Sequence, residues 1–343
     1  MKTIHIQSRH ASYPVHIGEN LLDQIHTFLD AKTSYVLIHD SRIPQAYVQK
    51  ILNALPQCLE IVFPQGENAK SMAQWDKICT TMLEANVLKN ATIIALGGGV
   101  TGDLAGFVAA TYMRGIDFVQ IPTSLLAQID SSVGGKVGIN HHNTKNAIGA
   151  IYPPKMVIVD VNTLKTLPPR HLANGVAEMI KCGMIADQEL IEQLEGGLFD
   201  RQPLALIRRT IEIKKHFVEI DEYDRNERQL LNFGHTLGHA IEAHYRYERY
   251  LHGEAVAIGM VHATLDHAIK HRLMDLLRQY NLPTTDHVAI RDLLPYIAKD
   301  KKNRDHQARM VLIKVIGSAY LSDCVIDNEI IPINEVKPNE HLG

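Results

Sequence analysis

The first half of the chain combines short apolar runs with amphipathic segments. Apolar runs at 35–38, 59–63 and 92–96 alternate with segments such as 21–29, in which apolar residues recur at helical spacing. Residues 156–160 form the last of these apolar runs. Strands that alternate with helices are typical of an α/β domain, and this part of the chain is predicted to be one.

The second half of the chain has a different periodicity. After a linker-like segment at 163–169, the apolar spacing is helical almost without interruption to about residue 305. Residues 310–325, centred on Gly317-Ser318, predict a late β-hairpin. The patterns therefore predict two domains: an α/β N-terminal domain at 1–166 and a mainly α-helical C-terminal domain at 167–343.

Composition agrees with two domains and narrows the class of partner. At 343 residues, the chain is longer than one hydrophobic core usually serves. Thirty-five Lys and Arg residues against 38 Asp and Glu residues argue against nucleic acid as the main partner. No apolar run is long enough to span a bilayer, and the first ten residues do not resemble a signal peptide. The four cysteines are far apart, which favours a reducing cytoplasm.

A pair of histidines in an apolar segment is the first candidate for chemistry. His235 and His239 are four residues apart, so on a helix both rings would point to one side. Imidazoles in this arrangement suggest a transition-metal site, and two hydrogen-bonded core histidines are the alternative. Glu178 and His252 also lie in apolar helical segments. Two histidines and a glutamate form a familiar open zinc site.

A glycine-rich turn follows the apolar run 92–96. Gly97, Gly99 and Gly102 have the G-x-G-x-x-G spacing and precede the helical run 104–113. Bare amides at a helix start suit a pyrophosphate, which makes this turn a candidate dinucleotide site. The motif is weak when it stands alone.

The acidic residue that usually binds the ribose of a dinucleotide is missing after the next strand. Residues 118–121 lead into Pro122-Thr123-Ser124 instead. Asp40 and Glu67, which follow earlier strands, are the better ribose candidates. Asp40 could instead cap a helix, and Glu67 and Lys70 could belong to a solvated loop.

Lysines near glycines and amides form a candidate phosphate site. Gly135-Lys136 does not belong to a P-loop, because Asp130 stands where the earlier glycine is needed and no Ser or Thr follows the lysine. Lys136 and the nearby Lys145-Asn146 are nevertheless plausible phosphate ligands. Solubilising surface lysines are the alternative.

Seven ordered blocks together resemble the 3-dehydroquinate synthase family of sugar phosphate cyclases, over about residues 10–325. The blocks are Gly97-Gly98-Gly99 with Asp103-Leu104-Ala105-Gly106-Phe107; Pro122-Thr123-Ser124-Leu125-Leu126-Ala127-Gln128; Asp130-Ser131-Ser132-Val133-Gly134-Gly135-Lys136; Lys145-Asn146; Ala177-Glu178 with Lys181; Leu231-Asn232-Phe233-Gly234-His235 with Gly238-His239; and His252-Gly253-Glu254. The resemblance implies a Rossmann-like α/β N-terminal domain and a mainly α-helical C-terminal domain. Val137 and Ala147 depart from residues common in the family, and neither is assigned to chemistry.

The resemblance also implies two cofactors, NAD and a divalent metal that is zinc or cobalt. The implied metal ligands are Glu178, His235 and His252, and His239 becomes a substrate-side residue. The implied NAD contacts are Asp40, Glu67, Lys70, Gly98, Gly99, Val100, Asp103, Thr123, Ser124, Lys136, Lys145, Thr163 and Thr166.

A further set of residues is implied to contact a small sugar phosphate. These residues are Asp130, Lys136, Lys145, Asn146, Lys181, Lys214, Arg228, Asn232, His239 and one lysine of the 301–302 pair, taken as Lys302. Arg114 is implied to reach the site of a neighbouring subunit in a homodimer.

The implied reaction converts 3-deoxy-D-arabino-heptulosonate 7-phosphate to 3-dehydroquinate and phosphate, in the shikimate pathway of aromatic amino acid biosynthesis. Three alternatives stay open. A related cyclase that makes a valiolone or an inosose would share the cofactors. A metal-dependent polyol dehydrogenase would produce NADH, and a non-catalytic NAD-binding regulatory protein would release no phosphate.

Overall fold

A computed structural model describes residues 1–8, 11–142, 144–297, 307–326 and 329–333. Lys302, the basic turn at 300–303 and the tail from residue 334 lie outside these residues. The chain forms two compact units: Met1–Pro168 with Lys214–Glu222, and Pro169–Ile213 with Tyr223–Gly343. The functional domain boundaries 1–166 and 167–343 remain a prediction. They do not anticipate that residues 214–222 group with the first unit.

The first unit is built on a mainly parallel sheet. Its strands are β1 (Lys2–Gln7), β2 (Ser12–Gly18), β3 (Tyr35–Asp40), β4 (Leu59–Phe63), β5 (Thr92–Gly97), β6 (Asp117–Pro122), β7 (Lys136–His141), β8 (Thr144–Ile151) and β9 (Met156–Asp160). Seven of them form one sheet in the order β1-β2-β9-β6-β5-β3-β4, and only the β1–β2 pair is antiparallel. Strands β7 and β8 form a separate antiparallel hairpin. The α/β prediction for this part of the chain is confirmed.

Both faces of the sheet are covered, which explains why its central strands are mainly apolar. Val36 and Ile38 of β3 belong to one apolar cluster, and Leu37 between them belongs to another. The helices that cover the sheet are α1 (Gln45–Ala54), α2 (Met72–Glu84) and α3 (Gly99–Thr111). The segment 21–29 forms only a short 3₁₀ helix, Leu22–Thr27, because Gln24 departs from helical backbone angles.

The order of the strands creates a switch point between β3 and β5. These strands are parallel neighbours, with His39 paired to Leu96, yet β4 lies on one side of them and β6 on the other. In open α/β sheets, ligands bind at the carboxyl ends of strands where the winding direction reverses. Asp40 and the glycine turn after β5 both lie at this position.

The second unit is mainly helical, as predicted. Its helices are α4 (Pro169–Ala186), α5 (Gln188–Glu195), α6 (Leu198–Arg201), α7 (Pro203–Ile220), α8 (His235–His244), α9 (His252–His262), α10 (His267–Gln279) and α11 (Ile290–Ile297). Helix α7 belongs to this unit as far as Ile213, and its remaining residues belong to the first unit. The predicted hairpin is confirmed as β10 (Gln307–Val315) and β11 (Ser318–Ile326), with β12 (Ile330–Pro332) beside β11. Among the described residues, every helix is too short or too polar to cross a membrane.

Glycines allow helices α8 and α9 to pack closely. A Cβ atom at Gly259 would lie 2.0 Å from the carbonyl oxygen of Gly234, which no real side chain tolerates. A Cβ atom at Gly238 would lie 3.1 Å from the backbone of Val256. The close approach of these two helices brings their histidines together.

Candidate active site

One glutamate and three histidines meet in the second unit. Glu178 lies on α4, His235 and His239 lie on α8, and His252 is the first residue of α9. The Nε2 atoms of His235 and His252 each lie 3.7 Å from Oε1 of Glu178. One ring nitrogen from each of the three histidines lies within 4.8 Å of the others. The structure thus gathers the predicted metal ligands and places His239 in the same cluster.

The Glu178 carboxylate has the environment of a metal ligand. The residue is 1 % exposed, and neither carboxylate oxygen receives a hydrogen bond of acceptable geometry within the described part of the chain. Tetrahedral zinc with nitrogen and oxygen ligands places its ligand atoms about 3.4 Å apart. The observed separations of 3.7 Å are close to that value. The residues therefore fit a divalent ion of zinc's size.

His235 and His252, the two candidate ligand histidines, are oriented through their other ring nitrogen. Nδ1 of His235 lies 3.1 Å from the carbonyl oxygen of Phe233. Nδ1 of His252 lies 3.3 Å from Oε2 of Glu242, a carboxylate that is 3 % exposed. These contacts leave both Nε2 atoms to face Glu178. Glu242 was not identified from the sequence, although it continues the face of His235 and His239 at i+7.

Charge and burial favour a neutral imidazole at His235. Burial holds the pKa of His235 well below its ordinary value, and the positive charges of Lys181, His252 and His239 act in the same direction. A neutral imidazole is the form that binds a metal. Lys181 forms an ion pair with Oε2 of Glu178 one helical turn away and is 2 % exposed. This predicted substrate residue thus lies beside the candidate metal ligands.

The glycine turn of the first unit starts helix α3. Gly98 is the N-cap residue, and the helix begins at Gly99 with Val100 in its first turn. A Cβ atom at Gly98 would lie 3.4 Å from Oγ of Ser124, and one at Gly99 would lie 3.2 Å from Oγ of Ser131. Residues 98–100 are only half-buried, so a ligand can approach the amides at the start of the helix.

Hydroxyl groups surround the glycine turn. The amide of Thr123, after β6, donates to the carbonyl of Gly97 at 2.9 Å, which brings the predicted contacts Thr123 and Ser124 to this turn. Oγ of Ser131 is buried without a hydrogen-bond partner in the described ranges. A pyrophosphate oxygen would satisfy such a donor, so the turn fits the diphosphate of NAD. Ser131 lies in a quoted sequence block but was not singled out there.

Lys70 connects two predicted sites within the first unit. Its ammonium pairs with Asp103 on α3 and contacts the side-chain oxygen of Asn146 on β8. Lys70 is 4 % exposed. Burial raises the pKa of the Asp103 carboxyl, and Lys70 opposes that shift. Two predicted NAD contacts and one predicted substrate contact are therefore neighbours.

The two ribose candidates differ in their surroundings. Asp40 accepts a hydrogen bond from the amide of Arg42 at 2.9 Å, in the turn that follows β3. It does not cap the next helix, because the N-cap residue of α1 is Pro44. Glu67 begins a 3₁₀ helix, Glu67–Ala69, and its Oε1 accepts from Nδ2 of Asn140 at 2.9 Å. Both carboxylates keep acceptor capacity for a ribose hydroxyl.

Thr163 and Thr166 are placed differently from each other. The Thr163 hydroxyl is buried, donates to the carbonyl of Asp160 at 2.8 Å and accepts from Gln128 at 3.0 Å. Thr166 is exposed, and its hydroxyl lies 3.0 Å from that of Tyr47. Thr166 is therefore the more accessible of the two predicted contacts.

Asp130 and Lys214 form a second ion pair in the first unit, in which Lys214 is buried and Asp130 is half-buried. Asp130 lies in a single π-helical turn, Ala127–Ser131, and Lys214 lies on α7. The ammonium contacts both the carboxylate and the carbonyl of Asp130. Turns of this kind are frequent at functional sites. The fold thus brings together Asp130 and Lys214, which are 84 positions apart in the sequence.

The remaining predicted contacts differ in how far they are exposed. Lys136 begins β7 and is exposed, and Lys145 on β8 is half-buried. Arg228 is buried in the 3₁₀ helix Glu227–Asn232, which ends at the exposed Asn232. Arg114 is exposed and follows α3 in a left-handed backbone conformation, with φ of 67°.

Comparison with known proteins identifies the family of the chain. Sequence profiles of the N-terminal and C-terminal parts of 3-dehydroquinate synthase match residues 60–174 and 175–303. A 3-dehydroquinate synthase from Thermoanaerobacter pseudethanolicus is 40 % identical, covering 97 % of this chain and 99 % of that relative.

Two solved structures have a similar fold. ValA, a 2-epi-5-epi-valiolone synthase from Streptomyces hygroscopicus subsp. jinggangensis with NAD⁺ and Zn²⁺ bound, has a TM-score of 0.83 at 29 % identity and covers 92 % of this chain and 93 % of that one. A 2-deoxy-scyllo-inosose synthase complexed with carbaglucose-6-phosphate, NAD⁺ and Co²⁺ has a TM-score of 0.85, with 97 % of each chain covered. At 23 % identity, the second likeness concerns the fold alone.

Together these findings define the class: a Rossmann-like α/β unit followed by a mainly helical unit, of the dehydroquinate synthase-like fold. The fold class expected from the sequence is confirmed. The chain belongs to the 3-dehydroquinate synthase family, as the sequence blocks predicted.

Proposed function

We propose that this chain converts 3-deoxy-D-arabino-heptulosonate 7-phosphate to 3-dehydroquinate and phosphate. The observation that carries the proposal is the cluster around Glu178. Its buried carboxylate faces two imidazole nitrogens at 3.7 Å, and the relatives at 40 % identity are 3-dehydroquinate synthases. The reaction class is a carbon–oxygen lyase that depends on NAD and a divalent metal.

The substrate explains why such an enzyme needs both cofactors. The proton beside C5 is not acidic while C5 carries a hydroxyl group. When bound, NAD would supply reversible oxidation of a substrate hydroxyl, and the metal would supply a Lewis acid for substrate oxygens. Phosphate can then leave by elimination, after which reduction, ring opening and an intramolecular aldol step close the carbocycle.

Residues of the second unit would hold the metal and move protons. Glu178, His235 and His252 would be the ligands, and the neutral His235 needs no deprotonation to serve as one. Lys181 lies beside Glu178, so its ammonium would donate to a substrate hydroxyl or carry a proton. His239 would act on the substrate from the same cluster, where the residue is exposed.

Residues of the first unit would bind NAD and part of the sugar phosphate. The amides of Gly98, Gly99 and Val100 would bind the pyrophosphate at the start of α3. Lys136, Lys145 and Asn146 would bind substrate anions from the β7–β8 hairpin. Asp130 would orient a substrate hydroxyl, and the Lys214 ammonium would hold the Asp130 carboxylate in position.

The same proposal includes a homodimer in the cytoplasm. Arg114 would reach the partner's site, and the four free thiols fit a reducing compartment. The homodimer rests on Arg114 and the cytoplasmic location rests on the four thiols, because the shared fold itself does not show either property.

Product identification tests the reaction class. Purified protein supplied with zinc or cobalt, NAD and the heptulosonate phosphate should release phosphate and form 3-dehydroquinate, followed by proton NMR. Glu178→Gln, which preserves shape and removes the charge, should be folded and inactive. If the wild-type protein, loaded with metal and NAD, releases phosphate only from other sugar phosphates, the chain is a sister cyclase instead.

A further inference from the structure

Asn140, near the end of β7, forms hydrogen bonds with three other residues. Its backbone amide donates to the carbonyl of Lys70 at 2.8 Å. Its Nδ2 donates to Oε1 of Glu67 at 2.9 Å, and its Oδ1 accepts from the backbone amide of Asn146 at 2.9 Å. All four residues belong to the first unit. None of the predictions from sequence assigned Asn140 a role.

The bond to Asn146 stabilises a left-handed backbone. Asn146 has a φ of 52°, in a region that asparagine adopts more readily than most residues with a side chain. Oδ1 of Asn140 holds the amide of Asn146 in this conformation, and the Asn146 side chain in turn contacts Lys70. Lys70 is therefore attached to the β7–β8 hairpin at both its carbonyl and its ammonium group.

The bond to Glu67 sets the direction of a carboxylate. Glu67 lies in the short 3₁₀ helix that precedes Lys70, and Nδ2 of Asn140 is the side-chain donor to its Oε1. An acceptor held in this way is pre-organised for a ribose hydroxyl, because its rotamer is chosen before the ligand arrives.

We propose that Asn140 is a positioning residue that fixes Glu67 on the NAD side and Asn146 on the sugar phosphate side with one amide group. The inference rests on the proposed function, since it concerns the same two ligands. It adds that NAD binding and substrate binding depend on separate atoms of a single side chain: Nδ2 for Glu67 and Oδ1 for Asn146.

Side-chain chemistry explains why the position holds an amide. Asparagine offers both a donor and an acceptor at one carbon. An aspartate of the same shape would keep the acceptor for Asn146 but lose the donor and present a like charge to Glu67. Alanine would lose both bonds. The two substitutions therefore separate the two halves of the proposed role.

The experiment compares Asn140→Asp and Asn140→Ala with Asn53→Ala, an exposed control on α1. NAD dissociation constants come from calorimetry, and kcat and KM come from phosphate release. Asn140→Asp should weaken NAD about tenfold, with a smaller change in KM for the sugar phosphate. Asn140→Ala should weaken NAD to a similar extent and also raise the KM several-fold. Asn53→Ala should match the wild type in both.

Two results would overturn the inference. One is an NAD dissociation constant for both Asn140 variants equal to that of the control. The other is an equal loss of both ligands in both variants, which would indicate a general structural defect. Asn140→Asp keeps the backbone bond and the shape, so it remains informative if the alanine variant does not fold. Absence of phosphate release by the wild type would reject the proposed function instead, and the calorimetric arm would still test Glu67.

Discussion

Nδ1 of His252 lies 3.3 Å from Oε2 of Glu242, across the contact between helices α9 and α8. Glu242 is 3 % exposed, so this carboxylate acts where water screens little. The contact selects the ring orientation that turns Nε2 of His252 toward Glu178. A carboxylate behind a metal-binding histidine also raises the basicity of the ligand.

Replacing Glu242 should therefore weaken metal binding without removing a ligand. Glu242→Ala should raise the zinc dissociation constant about 10- to 100-fold, measured by competition with a chelating dye. Glu242→Gln should have a smaller effect, because its amide oxygen can still accept from Nδ1. Glu248→Ala, an exposed glutamate after α8, is the control. Equal zinc affinity in all three variants would contradict a role in orienting His252.

Metal content should distinguish His235 from His239, although both lie in the same cluster. His235→Ala should lose the metal together with activity, because Nε2 of His235 faces Glu178 at 3.7 Å. His239→Ala should keep one metal ion per chain and lose activity only. The measurement is elemental analysis after dialysis. Loss of metal in His239→Ala to the same degree would indicate three histidine ligands and not two.

The burial of His235 predicts how the stability of the metal-free protein depends on pH. The pKa of His235 lies below its ordinary value of 6.5 in the folded protein, so below that pH the unfolded chain binds a proton that the folded chain does not. The free energy of unfolding should therefore decrease as the pH falls below 6.5. Urea unfolding of chelator-treated protein at about pH 5.5 and about pH 7.5 measures this change. His235→Gln should show a smaller decrease, and an unchanged decrease would contradict the assignment to His235.

The backbone around Arg114 supports a test of the homodimer. Met113, Arg114 and Gly115 have φ angles of 46°, 67° and 110°, so three successive residues adopt positive φ. Such strain often accompanies function. If Arg114 serves the partner's site, mixing inactive Arg114→Ala with inactive Lys136→Ala should restore part of the activity, because each heterodimer holds one intact site.

The control for that experiment is proof that subunits exchange. Differently tagged chains that copurify after mixing provide it. Exchange without any recovery of phosphate release would contradict a shared site, and would leave Arg114 a role within its own subunit.

Local patterns in the sequence predicted much of the fold and some of the site. Strands β3 and β5 each contain a continuous apolar run because both of their faces are covered. The i, i+4 spacing of His235 and His239 predicted their common helix face. The same spacing could have identified Glu242 at i+7, but an acidic residue there is also typical of a solvent-exposed helix face.

Long-range contacts were beyond these patterns. Asn140 and Glu67 are 73 residues apart, and Lys214 and Asp130 are 84 residues apart. Such pairs are created by the packing of separate elements, and no local periodicity reports them. Lys214 was identified only through resemblance to the family, and Asn140 only from its hydrogen bonds in the structure.

In the proposed reaction, oxidation by NAD would serve the elimination of phosphate and would then be reversed. The direct test follows the absorbance of reduced nicotinamide and the release of free phosphate in the same cuvette. Phosphate should appear in step with substrate loss, while NAD is needed only in catalytic amounts and net NADH stays near zero. NADH formed in proportion to the substrate consumed, without release of phosphate, would contradict this reaction and identify a dehydrogenase.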